Sequence, residues 1–258
     1  MTFGHAGCVG PRALRARSRD GGRHLYRPEG SAPGREALRA RLARFGLRGD
    51  DESARVDALQ GRRLQVPAGT QLVHEGQVER CGYVLLSGWA SSSVLLRDGR
   101  RQVIDLHLPG DLVGVSQMLL PVANLSHDAV TDIEIAKIGR AALMELVSGD
   151  NKVGGALLQA LAEDEARLAS RLTDVGRRSP QVRTARCLLE LARRAEDGDP
   201  LRVHCPMSQY VIADMLGLSA VHLNRVLRQL REAGLVSFRD AVIDIHDLDG
   251  LRAFSEIG

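Results

Sequence analysis

Aromatic side chains are scarce: they make up 3% of 258 residues, with a single Trp. That argues against a stacking platform for single-stranded nucleic acid. No apolar run approaches the roughly 18 residues that span a bilayer. The first residues also lack the continuous apolar stretch of a signal peptide. The expectation is a cytoplasmic protein with no membrane partner. Cysteine is sparse too: Cys8, Cys81, Cys187 and Cys205 are spread along the chain, none in C-x-x-C spacing. Idle or buried thiols in a reducing cytosol fit better than a disulfide framework, a zinc site or an iron–sulfur cluster. No H-x-H pair and no Ser-His-Asp or Cys-His grouping is readable, and His74 and His107 stand alone. A catalytic metal on a cupin-like barrel is therefore disfavoured, as is haem held by His74, His107 or Cys81, because isolated histidines are more often packed or solvated. The chain is expected to be no enzyme and to need no metal or cofactor.

What is present is ordinary globular composition, 44% hydrophobic and 26% charged, in a chain long enough for two domains. The formal charge is only +3, and its distribution says more. Residues 1–60 hold twelve Arg against seven acids, whereas residues 181–258 hold ten Arg against eleven. Bulk charge alone would not mark the C-terminal third as a nucleic-acid binder. Residues 1–34 are rich in Gly, Arg and Pro without a period, and read as a disordered tail. A transit peptide, a mis-chosen start codon and a phosphate-binding arm are the lesser readings.

Helical spacing runs through Leu38, Leu42, Phe45, Val56 and Leu59. Short alternating runs follow, punctuated by Gly69, Gly76, Gly88, Gly99, Gly110 and Gly114, with an Asp-Gly turn in "RDGR" at Arg97–Arg100. Many short strands at this spacing predict a β jelly roll over 35–150. From about Lys152 to Arg177, within a segment 151–178, Leu157, Leu161, Leu168, Leu172 and Val175 recur at helical intervals. This stripe either packs on its own domain or meets its copy in a second subunit; Asp164 and Arg171 interrupt the seam. Residues 179–258 then read as helix, strand, two helices and a hairpin turning near Asp240, the order of a winged helix-turn-helix. The fold class is thus α+β.

The two helices lie in "MSQYVIADMLGLSAVHLNRVLRQLREAGLV", Met207–Val236. Ser208 and Ser219 can cap them, and Gly217 and Gly234 can end them with left-handed backbone. Leu223, Val226, Leu227 and Leu230 sit at i, i+3, i+4, i+7 and face a core. At about 100° per residue, Val221, Arg225 and Arg228 lie opposite, flanked by His222 and Asn224. Such a face suits the major groove: Arg225 for guanine O6 and N7, Asn224 for adenine, Val221 for a thymine methyl. Ser208, Ser219 and His222 suit phosphate, which positions without specifying. The bland alternative is an α-hairpin with a solvated outer face.

These residues resemble the helix-turn-helix of the Crp/Fnr superfamily of bacterial transcription regulators. "PAGTQLVHEGQ", "YVLLSGW" and "HLPGDLVG" are similar to its cyclic-nucleotide-binding-like jelly roll. The resemblance covers roughly Leu38 to Ile245. It implies a homodimer on the central helix, a palindromic site in double-stranded DNA, contact with RNA polymerase, and an effector pocket at Gly110, Gly114, Val115, Ser126 and His127. One departure stands out. Nucleotide-binding members place a Glu just after the "PGDLVG"-type turn and an Arg about a dozen residues on, whereas here Val115 follows Gly114 and no Lys or Arg occurs between Arg101 and Lys137. A buried anionic phosphate would lack a cationic partner. Cyclic AMP is therefore not the expected effector. The alternative function is a small-molecule sensor that acts through a protein partner without DNA.

Overall fold

The structure, a computed structural model, describes residues 36–78, 81–149, 151–195, 199 and 201–256. The proposed tail at 1–34 lies outside the described residues. The contacts divide the chain into two units. One holds the described residues up to Val94 together with Leu106–Ala162. The other holds Leu95–Asp105 together with the chain from Glu163 onward.

Where the sequence period suggests one helical region, two helices form: α1 (Glu36–Ala43) and α2 (Asp50–Leu59). Gly46, at φ 90°, turns the chain between them. The strands are β1 (Arg63–Val66), β2 (Gln71–Val73), β3 (Cys81–Ser87), β4 (Ala90–Leu95), β5 (Arg101–His107), β6 (Leu112–Val113), β7 (Ser126–Ala129) and β8 (Ile133–Gly139). They form two four-stranded sheets, ordered β1-β8-β3-β6 and β2-β7-β4-β5. One core lies between the sheets, with Val66, Val73, Tyr83, Leu85, Ala129 and Ile135 in it. Val84 and Leu86 point the other way, into a second core with Leu38, Leu42, Val56 and Leu143. Strand β3 is therefore apolar on both faces, which explains its unbroken hydrophobic run. The "RDGR" turn is as the sequence predicts: Gly99 has φ 82° and Leu96 N–H donates to Arg100 C=O at 2.8 Å. A short α3 (Val115–Leu119) and α4 (Arg140–Gly149) complete this part.

Helix α5 (Asn151–Arg177) has 27 residues, and its stripe is divided differently from the sequence reading. Leu157 is buried and Leu161 half-buried, both in the core that α1, α2 and β3 share. Leu168 and Val175 are half-buried, and Leu172 is 76% exposed. The solvent-facing line runs Leu158, Ala162, Glu165, Ala169, Leu172, alternating four and three residues apart as a coiled-coil seam does. The division has a plain cause: the 3.6-residue period brings two adjacent stripes within one helix face, and the core shared with α1, α2 and β3 takes Leu157 and Leu161 of the inner one.

The C-terminal elements are α6 (Pro180–Arg194), β9 (Arg202–His204), α7 (Gln209–Leu216), α8 (Ala220–Glu232), β10 (Val236–Arg239), β11 (Val242–Ile245) and α9 (Leu248–Ser255). The strands form a sheet ordered β10-β11-β9. Asp240 and Ala241, at φ 50° and 59°, make the turn between β10 and β11, a twist that suits a tight hairpin. Among the described residues no helix is long and apolar enough to cross a membrane.

Candidate nucleic-acid interface

Helices α7 and α8 are built as their sequence dictates. Ser208 Oγ accepts from Val211 N–H at 3.3 Å, and Ser219 Oγ accepts from His222 N–H at 3.2 Å. Each hydroxyl satisfies one of the free donors at a helix start. Gly217 adopts φ 62° and ends α7, while Gly234 adopts φ 71° just beyond α8. Ile212, Ala213, Met215 and Leu216 are buried on α7; Leu223, Val226, Leu227 and Leu230 are buried on α8. Val211, next to Ile212 on α7, is half-buried.

The opposite face of α8 is open. Val221 is 73% exposed, Asn224, Arg225 and Arg228 are exposed, and His222 is half-buried. An exposed valine costs little alone, but one flanked by two guanidinium groups and a carboxamide makes a surface with both apolar and donor character. Arg228 Nε lies 3.6 Å from Glu232 Oε1, with both side chains well exposed. Such a pair is worth little and leaves the guanidinium available to a phosphate or a base. Tyr210, at the first turn of α7, is 71% exposed. Sequence reasoning passed over it, although a tyrosine two residues after a helix-capping serine can hydrogen-bond a phosphate.

The five effector-pocket positions have separate surroundings. Gly110, at φ 92°, lies so close to α1 that a Cβ there would meet Ala37 C=O at 2.6 Å. Gly114, at φ 72°, is covered by the Gln117 side chain, which would meet a Cβ at 2.1 Å. Gln117 is fully buried and donates to Cys81 C=O at 3.2 Å. Val115 belongs to the core that faces α1. Ser126 Oγ accepts from Glu75 N–H at 3.1 Å. His127 is buried: its Nδ1 lies 2.9 Å from Ser92 Oγ, and that oxygen lies 2.5 Å from His107 Nε2. The two rings are 5.9 Å apart. A serine hydroxyl on β4 thus bridges two imidazoles on the strands either side of it, β5 and β7, partners 15 and 35 positions away that no local pattern announces.

Residues 63–150 match the Cyclic nucleotide-binding domain, and residues 182–254 match the Crp-like helix-turn-helix domain. The nitrogen fixation regulation protein FixK of Rhizobium meliloti is 33% identical over 190 residues, covering 72% of this chain and 83% of that protein. The chain belongs to the Crp/Fnr family of transcription regulators. It is a DNA-binding regulator by that membership, with the α+β fold described above. A CRP-like cAMP-activated global transcriptional regulator of Mycobacterium tuberculosis is 26% identical, over 81% of this chain and 96% of that protein. Among solved structures, FixK2 from Bradyrhizobium japonicum is similar with a TM-score of 0.70 and 26% identity, over 76% of this chain and 98% of that one. Catalysis has no counterpart in these names, which are those of regulators.

Proposed function

We propose that this Crp/Fnr regulator acts in the cytoplasm as a homodimer that reads a palindromic site through α8, and that its jelly roll responds to something other than cyclic AMP. The outward face of α8 carries the reading. Val221, Asn224, Arg225 and Arg228 are exposed while every leucine of the helix is buried. Arg225 pairs with guanine, Asn224 with adenine and Val221 with a thymine methyl. Ser208, Ser219, His222 and Tyr210 hold phosphates and fix the register. RNA polymerase is the further partner that family membership supplies, and no catalysis is part of the role.

The dimer seam is the exposed line Leu158, Ala162, Glu165, Ala169 and Leu172 rather than the inner line through Leu157 and Leu161. Two copies related by a two-fold axis then present two α8 helices to half-sites about one helical turn apart.

Against cyclic AMP stands the chemistry of the jelly roll. No Lys or Arg lies from residue 102 to residue 136, Val115 follows the glycine turn, and Gln117 covers Gly114. Sequencing of DNA fragments that copurify with the protein tests the DNA reading. A recurring motif with dyad symmetry is the expected result, and fragments of random sequence would contradict it.

A further inference from the structure

Helix α5 is one continuous helix of 27 residues, and its outward line has a regular order. Positions alternating three and four apart are Gly155, Leu158, Ala162, Glu165, Ala169, Leu172 and Gly176. Every second member is Gly or Ala. The others, seven residues apart, are Leu158, Glu165 and Leu172. Leu158 and Leu172 are exposed, and so is Glu165 between them. A carboxylate thus holds the middle position of a leucine repeat, and no cation answers it. The residues three and four places to either side are Leu161, Ala162, Leu168 and Ala169, so no i,i+3 or i,i+4 ion pair is open to it. The two arginines closest along the helix are engaged elsewhere: Arg167 with Asp164 and Asp105, Arg171 with Asp105 and Glu190. Glu165 itself is in no ion pair among the described residues.

We propose that Glu165 makes dimerisation proton-dependent: across the two-fold axis the two Glu165 carboxyl groups share one proton, which the separate chains do not hold. The proposal rests on the reading of this line as the dimer seam. A two-fold axis along the seam sets each seam residue against its own copy, and the Gly and Ala positions let the two helices come close. The element set against Glu165 is then the α5 of the second copy, and the titratable group facing it is that copy's own glutamate. Asp164, on the flank of the seam, is already paired with Arg167. Two carboxylates so placed, shielded from water by a leucine layer on each side and with no cation in reach, do not both stay ionised. With one proton between them, the carboxyl O–H donates to a carboxylate oxygen and the pair carries a single charge. The leucine layers supply the apolar attraction, and the polar layer fixes the register at a cost in stability. The dimer therefore binds a proton as it forms, and its affinity falls as pH rises.

The experiment is sedimentation of the full-length chain between about pH 5.5 and 8.5, alongside Glu165→Gln, Glu165→Leu and Leu172→Glu. All three variants alter exposed positions, and circular dichroism at each pH separates loss of fold from loss of the dimer. The unaltered chain is expected to dimerise up to about tenfold more weakly for each unit of rising pH, the slope of one proton bound per dimer. Glu165→Gln and Glu165→Leu are expected to abolish that slope, and Glu165→Leu to tighten the dimer at least about tenfold at the alkaline end. Leu172→Glu is expected to stay monomeric throughout. A flat profile for the unaltered chain beside a monomeric Leu172→Glu, or a slope that survives Glu165→Gln, overturns the proposal and leaves the seam standing. A Leu172→Glu chain that sediments as the unaltered one does shows instead that the seam reading is wrong, and the proposal falls with it.

Discussion

Arg41 Nη1 of α1 donates to Asp111 Oδ1 at 3.0 Å, and less than a tenth of either side chain meets solvent. The same guanidinium donates to Ala160 C=O of α5 at 3.1 Å, and Asp111 Oδ2 accepts from Leu108 N–H at 2.9 Å. The turn after β5 is thereby fastened to two helices by one buried charge pair. Removing one partner strands the other in a low-dielectric site. Arg41→Ala is expected to cost about 3–5 kcal/mol, read as a lower denaturant midpoint, whereas Arg41→Met with Asp111→Leu together should cost less than either single change.

Cys187 and Cys205 are buried in the second unit. Burial raises both thiols, that of Cys205 to about 12 from an ordinary 9.0. The folded state thus binds the proton more tightly than the unfolded state. The associated stability is fully present below pH 9 and is lost as pH rises towards 12. Melting temperature should fall over that range, and Cys205→Ala should flatten the fall. At pH 8 neither thiol should react with an alkylating reagent until denaturant is added.

The solvent-facing seam of α5 makes a sharp contrast between neighbouring residues. Leu172→Glu is expected to give a folded monomer by sedimentation, because it alters an exposed position. Leu157→Glu buries a charge in the core and should unfold the chain. A Leu172→Glu protein that still sediments as a dimer would place the interface elsewhere.

Calorimetry with cyclic AMP and cyclic GMP should show no binding at micromolar concentration. The jelly roll has no Lys or Arg from residue 102 to residue 136 to meet the phosphate.

Much of the DNA-binding half is legible in the sequence because its rules are local. Ser208 and Ser219 announce helix starts, Gly217 and Gly234 announce ends, and the leucine spacing fixes which face of α8 is buried. The jelly roll's turns are legible for the same reason, through Asp98-Gly99. What is hidden depends on distant partners. Arg171, which reads as a defect in a coiled-coil seam, is the centre of an ion-pair cluster with Asp105, 66 positions away, and Glu190. Leu157 and Leu158 differ by one place, and only the jelly roll's position decides which is covered. Helix α9 went unanticipated because its cap, Asp247 accepting from Gly250 N–H, follows directly on a strand. Ser92, His107 and His127 come together through sheet pairing alone.

Arg225→Ala in a fluorescence-anisotropy titration against the recovered operator addresses the main claim most directly. The account predicts a loss of about 1–3 kcal/mol in specific binding, with the melting temperature and the affinity for unrelated duplex unchanged. Operator affinity equal to that of the unaltered protein would contradict it.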